Sequence, residues 1–198
     1  VHDLGQTNRL VVSMLEAYDR SLRSDIERSG RLFAGMFDQP LELQAAGEAP
    51  RLLQKGTPLN DRFDVVEAFT AKAGTVTTIL VRQGDDFLRT ATSLKKEDGT
   101  RSTGTPLGTD HPARQALLGG NTYTGKALMF GRDFITHYVP VRDATGKVIG
   151  AFFVGLELTE GLKALKQGIL AMKVGETGYV LALDAGIQKG VATIHPAK

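Results

Sequence analysis

The side chains of this chain that are suited to chemistry are hydrogen-bond donors rather than nucleophiles. Arg101, Thr103 and Thr105 fall together in a polar stretch punctuated by Gly99, Gly104, Pro106 and Gly108. A guanidinium presents a planar fork of N–H groups that matches the two oxygens of a carboxylate, and threonine hydroxyls add single hydrogen bonds. Tyr123 and Tyr138 each offer an apolar ring with a polar tip, which suits the wall of a mixed pocket and equally suits a core. Strand neighbours point to opposite faces, so Thr136 and Tyr138 share one face and His137 takes the other; Thr136 and Tyr138 are assigned to the binding side. Lys126 and Arg89 follow them, because a strand-borne cation ordinarily faces solvent.

Signatures of catalysis are missing. The four histidines, His2, His111, His137 and His195, show neither H-x-x-x-H nor H-E-x-x-H spacing, so a metal would have to be gathered from distant elements. Asp85 and Asp86 in a turn, and Asp98 beside Gly99, are explained by turn chemistry. G-x-S-x-G, Walker and G-x-G-x-x-G patterns are absent, and so is cysteine, which removes disulfides, thiol nucleophiles and Cys-ligated zinc. Neither an enzyme nor a cofactor is expected. With 24 basic and 22 acidic residues, a formal charge of +2 lacks the positive excess that phosphate backbones require, so nucleic acid is not an expected partner.

No run of residues approaches the roughly 20 apolar positions that cross a bilayer. The richest stretch, 148–158, is interrupted by Gly150 and Gly155. The sequence opens at Val1 without Met or a basic-then-apolar leader, so a soluble piece of a longer chain is expected, with membrane anchors in flanking segments.

Periodicity shows which elements must position the candidate residues. Residues 10–37 lack proline, and Val11, Leu15, Tyr18, Leu22, Ile26, Phe33 and Met36 recur at steps of three and four, with Ser29 and Gly30 interrupting the pattern. This predicts a long amphipathic helix whose other face carries Arg20, Arg23, Asp25, Glu27 and Arg31. Part of its apolar stripe either faces a second helix or packs on its own domain. Pro40, Gly47, Pro50, Gly56 and Pro58 make residues 38–59 a mainly irregular connector, with a short helix around 51–54. Asn60 or Asp61 is the expected N-cap of a helix bearing Phe63, Val66 and Phe69 and ended by Gly74.

After Gly74 the period changes to that of strands. Segments 75–81 and 87–94 form a hairpin, and a helix from Asp110 or His111 stops at Gly119 and Gly120. Segments 122–130, 133–141 and 147–157 then make three strands joined at Gly131-Arg132 and Asp143-Ala144-Thr145-Gly146. The fold class is α+β: a long N-terminal helix packed on a five-stranded antiparallel sheet, its last three strands a meander. Residues 95–120 cover one face, with a pocket beneath.

These residues carry a family likeness. Asp85-Asp86-Phe87-Leu88-Arg89-Thr90-Ala91-Thr92 is followed by Asp98-Gly99-Thr100-Arg101 with Gly104-Thr105, and then by Gly120-Asn121-Thr122-Tyr123-Thr124-Gly125. Tyr138-Val139-Pro140-Val141-Arg142-Asp143, Gly146-Lys147-Val148-Ile149-Gly150 and Val154-Gly155 complete the series. In this order and spacing they resemble the Cache domain, the PAS-like extracytoplasmic sensor module of bacterial chemoreceptors and sensor kinases, over about residues 59–158.

The resemblance implies a ligand cavity between sheet and covering loops, built from the loop after the second strand and the inward faces of later strands. It places Arg101 where related carboxylate-sensing domains also hold an arginine. The ligand it implies is a small carboxylate such as acetate or another short organic acid, or an amino acid. It also implies a periplasmic location and a homodimer through the N-terminal helix. A methyl-accepting chemotaxis protein is the expected parent. The input domain of a sensor histidine kinase, a cyclic-dinucleotide enzyme as parent, and a non-sensing dimerisation or interaction module stay open.

Three regions result: 1–58, N-terminal helix and connector; 59–158, sensor domain; 159–198, C-terminal helix and the start of a second Cache-like unit. Residues 161–172 read as that helix, and Gly175-Glu176-Thr177-Gly178-Tyr179-Val180 resembles the opening strand of a second module, with Ile194-His195-Pro196 beginning its next strand. Residues 175–198 are then a hairpin short of partners or, alternatively, an extension packed on the first sheet.

Overall fold

The computed structural model describes residues 2–45, 49–170, 182–183 and 192–194. In chain order the elements are α1 (His2–Ala34), β1 (Glu42–Gln44), β2 (Arg51–Gln54), β3 (Thr57–Pro58), α2 (Phe63–Ala73), β4 (Val76–Gln83) and β5 (Asp86–Thr92). They continue with α3 (Pro112–Leu118), β6 (Tyr123–Met129), β7 (Arg132–Arg142), β8 (Val148–Glu157), α4 (Thr159–Leu170), β9 (Ala182–Leu183) and β10 (Ala192–Ile194). Two compact units contain them: Leu22–Glu157, and Val1–Ser21 with Leu158–Lys198.

Within Leu22–Glu157 lies the expected five-stranded antiparallel sheet, in the order β5-β4-β8-β7-β6. The meander β6-β7-β8 follows from its short turns, and the β4-β5 hairpin joins it by pairing β4 with β8, Val76 opposite Gly155 through Val81 opposite Gly150. Strands β4 and β8 are buried on both faces along most of their length, which is why these two apolar segments sit inside the sheet.

One face is covered by helices. Leu22, Ile26 and Phe33 of α1 are buried, with the Phe33 ring 5.5 Å from Phe152 of β8 and 5.0 Å from Phe69 of α2. Gly30 lies on the same stripe, and a Cβ there would run into Cδ2 of His137. The glycine that interrupts the apolar pattern is therefore the point of close approach between helix and sheet, and α1 runs through it as expected. On the other face, Leu94, Leu107, Ala113 and Leu117 pack onto Leu80, Phe87, Phe134, Tyr138 and Phe153. This is the cover formed by the loop after β5 together with α3.

The connector corrects two expectations. Residues 42–58 contain the three-stranded sheet β1-β2-β3, and 51–54 are strand β2 rather than a helix. Four residues are too few for periodicity to distinguish the two; the antiparallel partner decides, with Leu43 opposite Leu52. Leu52 is fully buried and its methyls pack above Gly150, where a Cβ would lie 2.5 Å from the Leu80 carbonyl oxygen. Asn60 is not a helix cap either. Its side chain accepts from Leu52 N at 3.1 Å and donates to Pro50 O at 3.1 Å, while α2 starts after Arg62 without a side-chain cap.

In the other unit, Leu158 is buried, its carbonyl accepts from Leu162 N at 2.8 Å, and the Tyr18 hydroxyl lies against Gly161. Strands β9 and β10 pair antiparallel as a two-stranded sheet. Residues 175–180 and 195–196, on which the expected opening of a second module falls, lie outside the described residues. No described helix is long and apolar enough to cross a membrane.

The Gly30 contact sets two effects against each other. Alanine gains about 1 kcal/mol of helix propensity over glycine, whereas overpacking a tight contact costs about 1–3 kcal/mol. The ring of His137 is buried between helix and sheet, so overlap wins. Gly30→Ala is expected to lower the unfolding free energy by about 1 kcal/mol in a denaturant titration, and to cost less than half as much in a His137→Ala background.

Candidate functional site

Arg89 stands on β5, two residues after Phe87 and on the same covered face. Its side chain is 8% exposed. One terminal nitrogen donates to Pro106 O at 2.7 Å and to Thr105 Oγ1 at 3.1 Å. Among the described residues no carboxylate forms an ion pair with it. A buried guanidinium anchored only to neutral oxygens is costly, since removing charge from water without a counter-charge loses several kcal/mol.

The cover reaches Arg89 because β5 is an edge strand. Residues 102–107 run beside it and satisfy its outer backbone groups: Gly104 N donates to Arg89 O at 2.8 Å, Arg89 N to Thr105 O at 3.1 Å and Leu107 N to Phe87 O at 2.8 Å. Asp86 completes the seam, its carboxylate accepting from Gly108 N at 3.2 Å and from Phe87 N at 2.7 Å.

Across from Arg89, Tyr138 is almost completely buried, and burial pushes its phenol well above the usual range while the Arg89 charge opposes that shift. His111 Nε2 lies 3.3 Å from the Tyr138 hydroxyl, and His111 Nδ1 accepts from Ala113 N at 3.2 Å as the N-cap of α3. An accepting Nδ1 assigns the proton of the neutral ring to Nε2, so His111 donates to Tyr138. Burial pushes the imidazole down to about 4, helped by Arg89 and opposed by Asp86. Tyr123 stands 6.3 Å from Tyr138, ring to ring. The corner therefore gathers N–H and O–H groups around a buried positive charge, an arrangement that favours an anion.

Four candidate residues from the sequence thus come together: Arg89, Thr105, Tyr123 and Tyr138. Others lie elsewhere. Arg101 pairs with Glu67 of α2, donates to Thr92 O at 2.9 Å and sits 4.9 Å over the Phe63 ring, so its guanidinium ties the loop to α2 on the sheet's helix-covered face. Lys126 is exposed, and alternation turns it away from Tyr123. Thr136 is buried, with its hydroxyl donating to Gly125 O at 2.7 Å. The Thr103 hydroxyl is buried with no partner among the described residues. His111 and Asp86 were read from sequence only as a helix start and a turn residue. For His111 the available signal was Pro112 after it, which marks a helix start but not what the ring touches.

Beneath the cover lies the apolar cluster of Leu80, Phe87, Leu94, Phe134 and Phe153. A separate cleft of about 350 Å³ opens beside Leu43, Pro50, Arg82, Gly84 and Lys147, where Arg82 donates to Gly84 O and Val148 O.

The model of the family described as the Cache 3/Cache 2 fusion domain matches residues 2–198, extending beyond the 59–158 on which the sequence resemblance was seen. No curated protein matches the sequence. Among solved structures, the ligand-binding domain of the Campylobacter jejuni chemoreceptor Tlp3 in complex with 4-methylisoleucine gives a TM-score of 0.52 at 13% identity, over 99% of this chain and 73% of that one. The ligand-binding domain of the Pseudomonas aeruginosa PAO1 amino acid chemoreceptor PctC in complex with GABA gives 0.50 at 18% identity, over 98% and 74%. The periplasmic domain of RsbU from Chlamydia trachomatis gives 0.51 at 12%, over 87% and 56%. At such identities the likeness is one of fold.

Because the folded protein binds His111 protons less readily than the unfolded chain does, the stability this residue contributes is complete above about pH 6.5 and is lost as the pH falls towards about 4. His111→Asn keeps an N-cap acceptor and removes the titration. Relative to this variant, the wild-type protein is expected to lose about 1–2 kcal/mol across that window, a figure reduced for the partial exposure of the ring. Chemical denaturation at stepped pH measures the difference.

Proposed function

Because the chain belongs to the Cache 3/Cache 2 fusion family, we propose that it is the extracytoplasmic sensor domain of a bacterial membrane receptor, of the chemotaxis-transducer kind, and that it binds a small carboxylate at the Arg89 corner. The observation that carries this is a buried guanidinium with no carboxylate partner among the described residues, facing the Tyr138–His111 pair. A ligand carboxylate supplies the missing counter-charge and bridges β5, the cover and β7. The Tlp3 and PctC ligands, 4-methylisoleucine and GABA, each carry a carboxylate, which supports the chemical class. The crowding of Tyr138 by His111 and Phe153, at ring distances of 5.4 and 4.8 Å, favours a ligand as small as acetate or another short organic acid.

In this role the domain faces the periplasm, is held to the membrane by flanking segments, and pairs with a second copy through α1. Signalling requires that the ligand bind one arrangement of the domain better than the other, since equal affinity for both shifts nothing. One observation favours a second reading. The apolar side chains clustered beneath the cover suit a module that works by dimerisation or protein contact without a ligand.

Calorimetry against acetate, propionate, succinate, GABA and leucine separates the two. One of the short acids is expected to bind, with affinity lowered at least about 30-fold in Arg89→Gln and about tenfold in Tyr138→Phe, the usual range for hydrogen bonds to a charge. Arg101→Ala is expected to lower the melting temperature and leave affinity within about twofold. Absence of binding by the whole panel, or unchanged binding in Arg89→Gln, would overturn the ligand site and leave the second reading.

A further inference from the structure

The strands that carry the candidate corner also carry a polar network on their other face. In the β6-β7 register Tyr123 is opposite Tyr138, and the next pair, Thr124 opposite His137, faces α1. The Thr124 hydroxyl donates to Glu27 Oε1 at 2.9 Å and stands 2.8 Å from His137 Nδ1. A hydroxyl has one proton, and Thr124 uses it on Glu27, so the bond to His137 requires the proton to sit on Nδ1 of the imidazole. Arg23 NH1 donates to the Thr124 carbonyl at 3.2 Å, and the backbone at Gly30 lies against the His137 ring. Burial holds the ring neutral; Glu27 works against that effect and Arg31 with it.

Elsewhere on this face α1 meets the sheet through Phe33, with Ile26 buried on the same stripe and Phe37, just past the helix end, stacked on Phe152; these are apolar contacts with no preferred hydrogen-bond direction. The relay from His137 through Thr124 to Glu27 is directional and weakens steeply when its angles or lengths change. Each of its two strand residues is bonded in sequence to a tyrosine of the corner.

We propose that Glu27, Thr124, His137 and Gly30 are the positioning residues that couple the corner to α1: they hold residues 22–34 of the helix to β6 and β7, so that a shift of Tyr123 or Tyr138 is delivered to the helix rather than absorbed by apolar sliding. The Thr124 and His137 side chains turn to the α1 face, away from the corner. The sensing function proposed above enters only as the cause of the shift.

The test uses the whole chain and Thr124→Val, which removes the hydroxyl and keeps a β-branched strand residue. Nitrogen-15 NMR of the imidazoles is expected to show His137 protonated at Nδ1 in the wild-type protein and at Nε2 in Thr124→Val; an Nε2 proton in the wild-type protein overturns the relay. Amide exchange over 22–34 is expected to rise at least about fivefold in the variant with the β4 and β8 amides unchanged, and equal helix exchange in the two proteins overturns the joint. With sodium acetate as probe, the variant is expected to bind within about twofold of the wild-type affinity but to lose the acetate-dependent change in helix exchange. A variant that binds and keeps that change also overturns the joint. If acetate does not bind the wild-type protein, the ligand assignment fails for this probe, and the joint is decided by the NMR and ligand-free exchange.

Discussion

A five-stranded sheet covered on both faces leaves each strand side chain only two destinations, and the organisation of this domain follows from that constraint. Along β7, Phe134, Thr136 and Tyr138 turn to the side closed by α3 and the loop after β5, while Ile135 and His137 turn to α1. Along β8, Phe153 goes to the first side and Phe152 to the second. A one-residue slip of register would exchange the two sets, placing His137 in an apolar cluster and Tyr138 against Gly30.

Burial on both faces also decides where polar groups become costly. The polar side chains that enter the sheet's two interiors are mostly satisfied locally, as where the Thr78 and Thr92 hydroxyls meet at 2.6 Å or Thr90 donates to Ile79 O at 3.1 Å. Arg89 differs because its contacts are neutral oxygens and its charge is not matched among the described residues. Arg101 shows the contrast, for it is only half-buried and has Glu67 as a partner. Two arginines in neighbouring segments therefore have different physical roles: one ties loop to helix, and the other holds unspent charge beside a tyrosine.

Much of the architecture was legible because its signals are local. Period-two patterning located the five strands of the main sheet, the glycines at 119, 120 and 131 marked the ends of α3 and β6, and the short turns after β6 and β7 forced a meander. Less was legible where the deciding partner is remote. Leu52 belongs to a strand only because Leu43 pairs with it, and Gly30 continues a helix because the sheet needs it to lack a Cβ. For the site, alternation from Phe87 assigns Arg89 to the covered face, yet the ordinary preference of strand cations for solvent argued for the opposite placement.

The sequence by itself determined the α+β class, the order of helix, hairpin and meander, and which of Thr136, His137 and Tyr138 share a face, because periodicity and turn chemistry act over a few residues. Only the tertiary structure decided that Arg101 meets Glu67 while Arg89 stays without a carboxylate partner among the described residues, and that His111 closes on Tyr138. It also decided that the Thr124 hydroxyl meets both Glu27 of α1 and His137 of β7. These pairings join residues 13 to 97 positions apart, and no local preference of the chain encodes which of several similar donors will meet which acceptor once both faces of the sheet have closed.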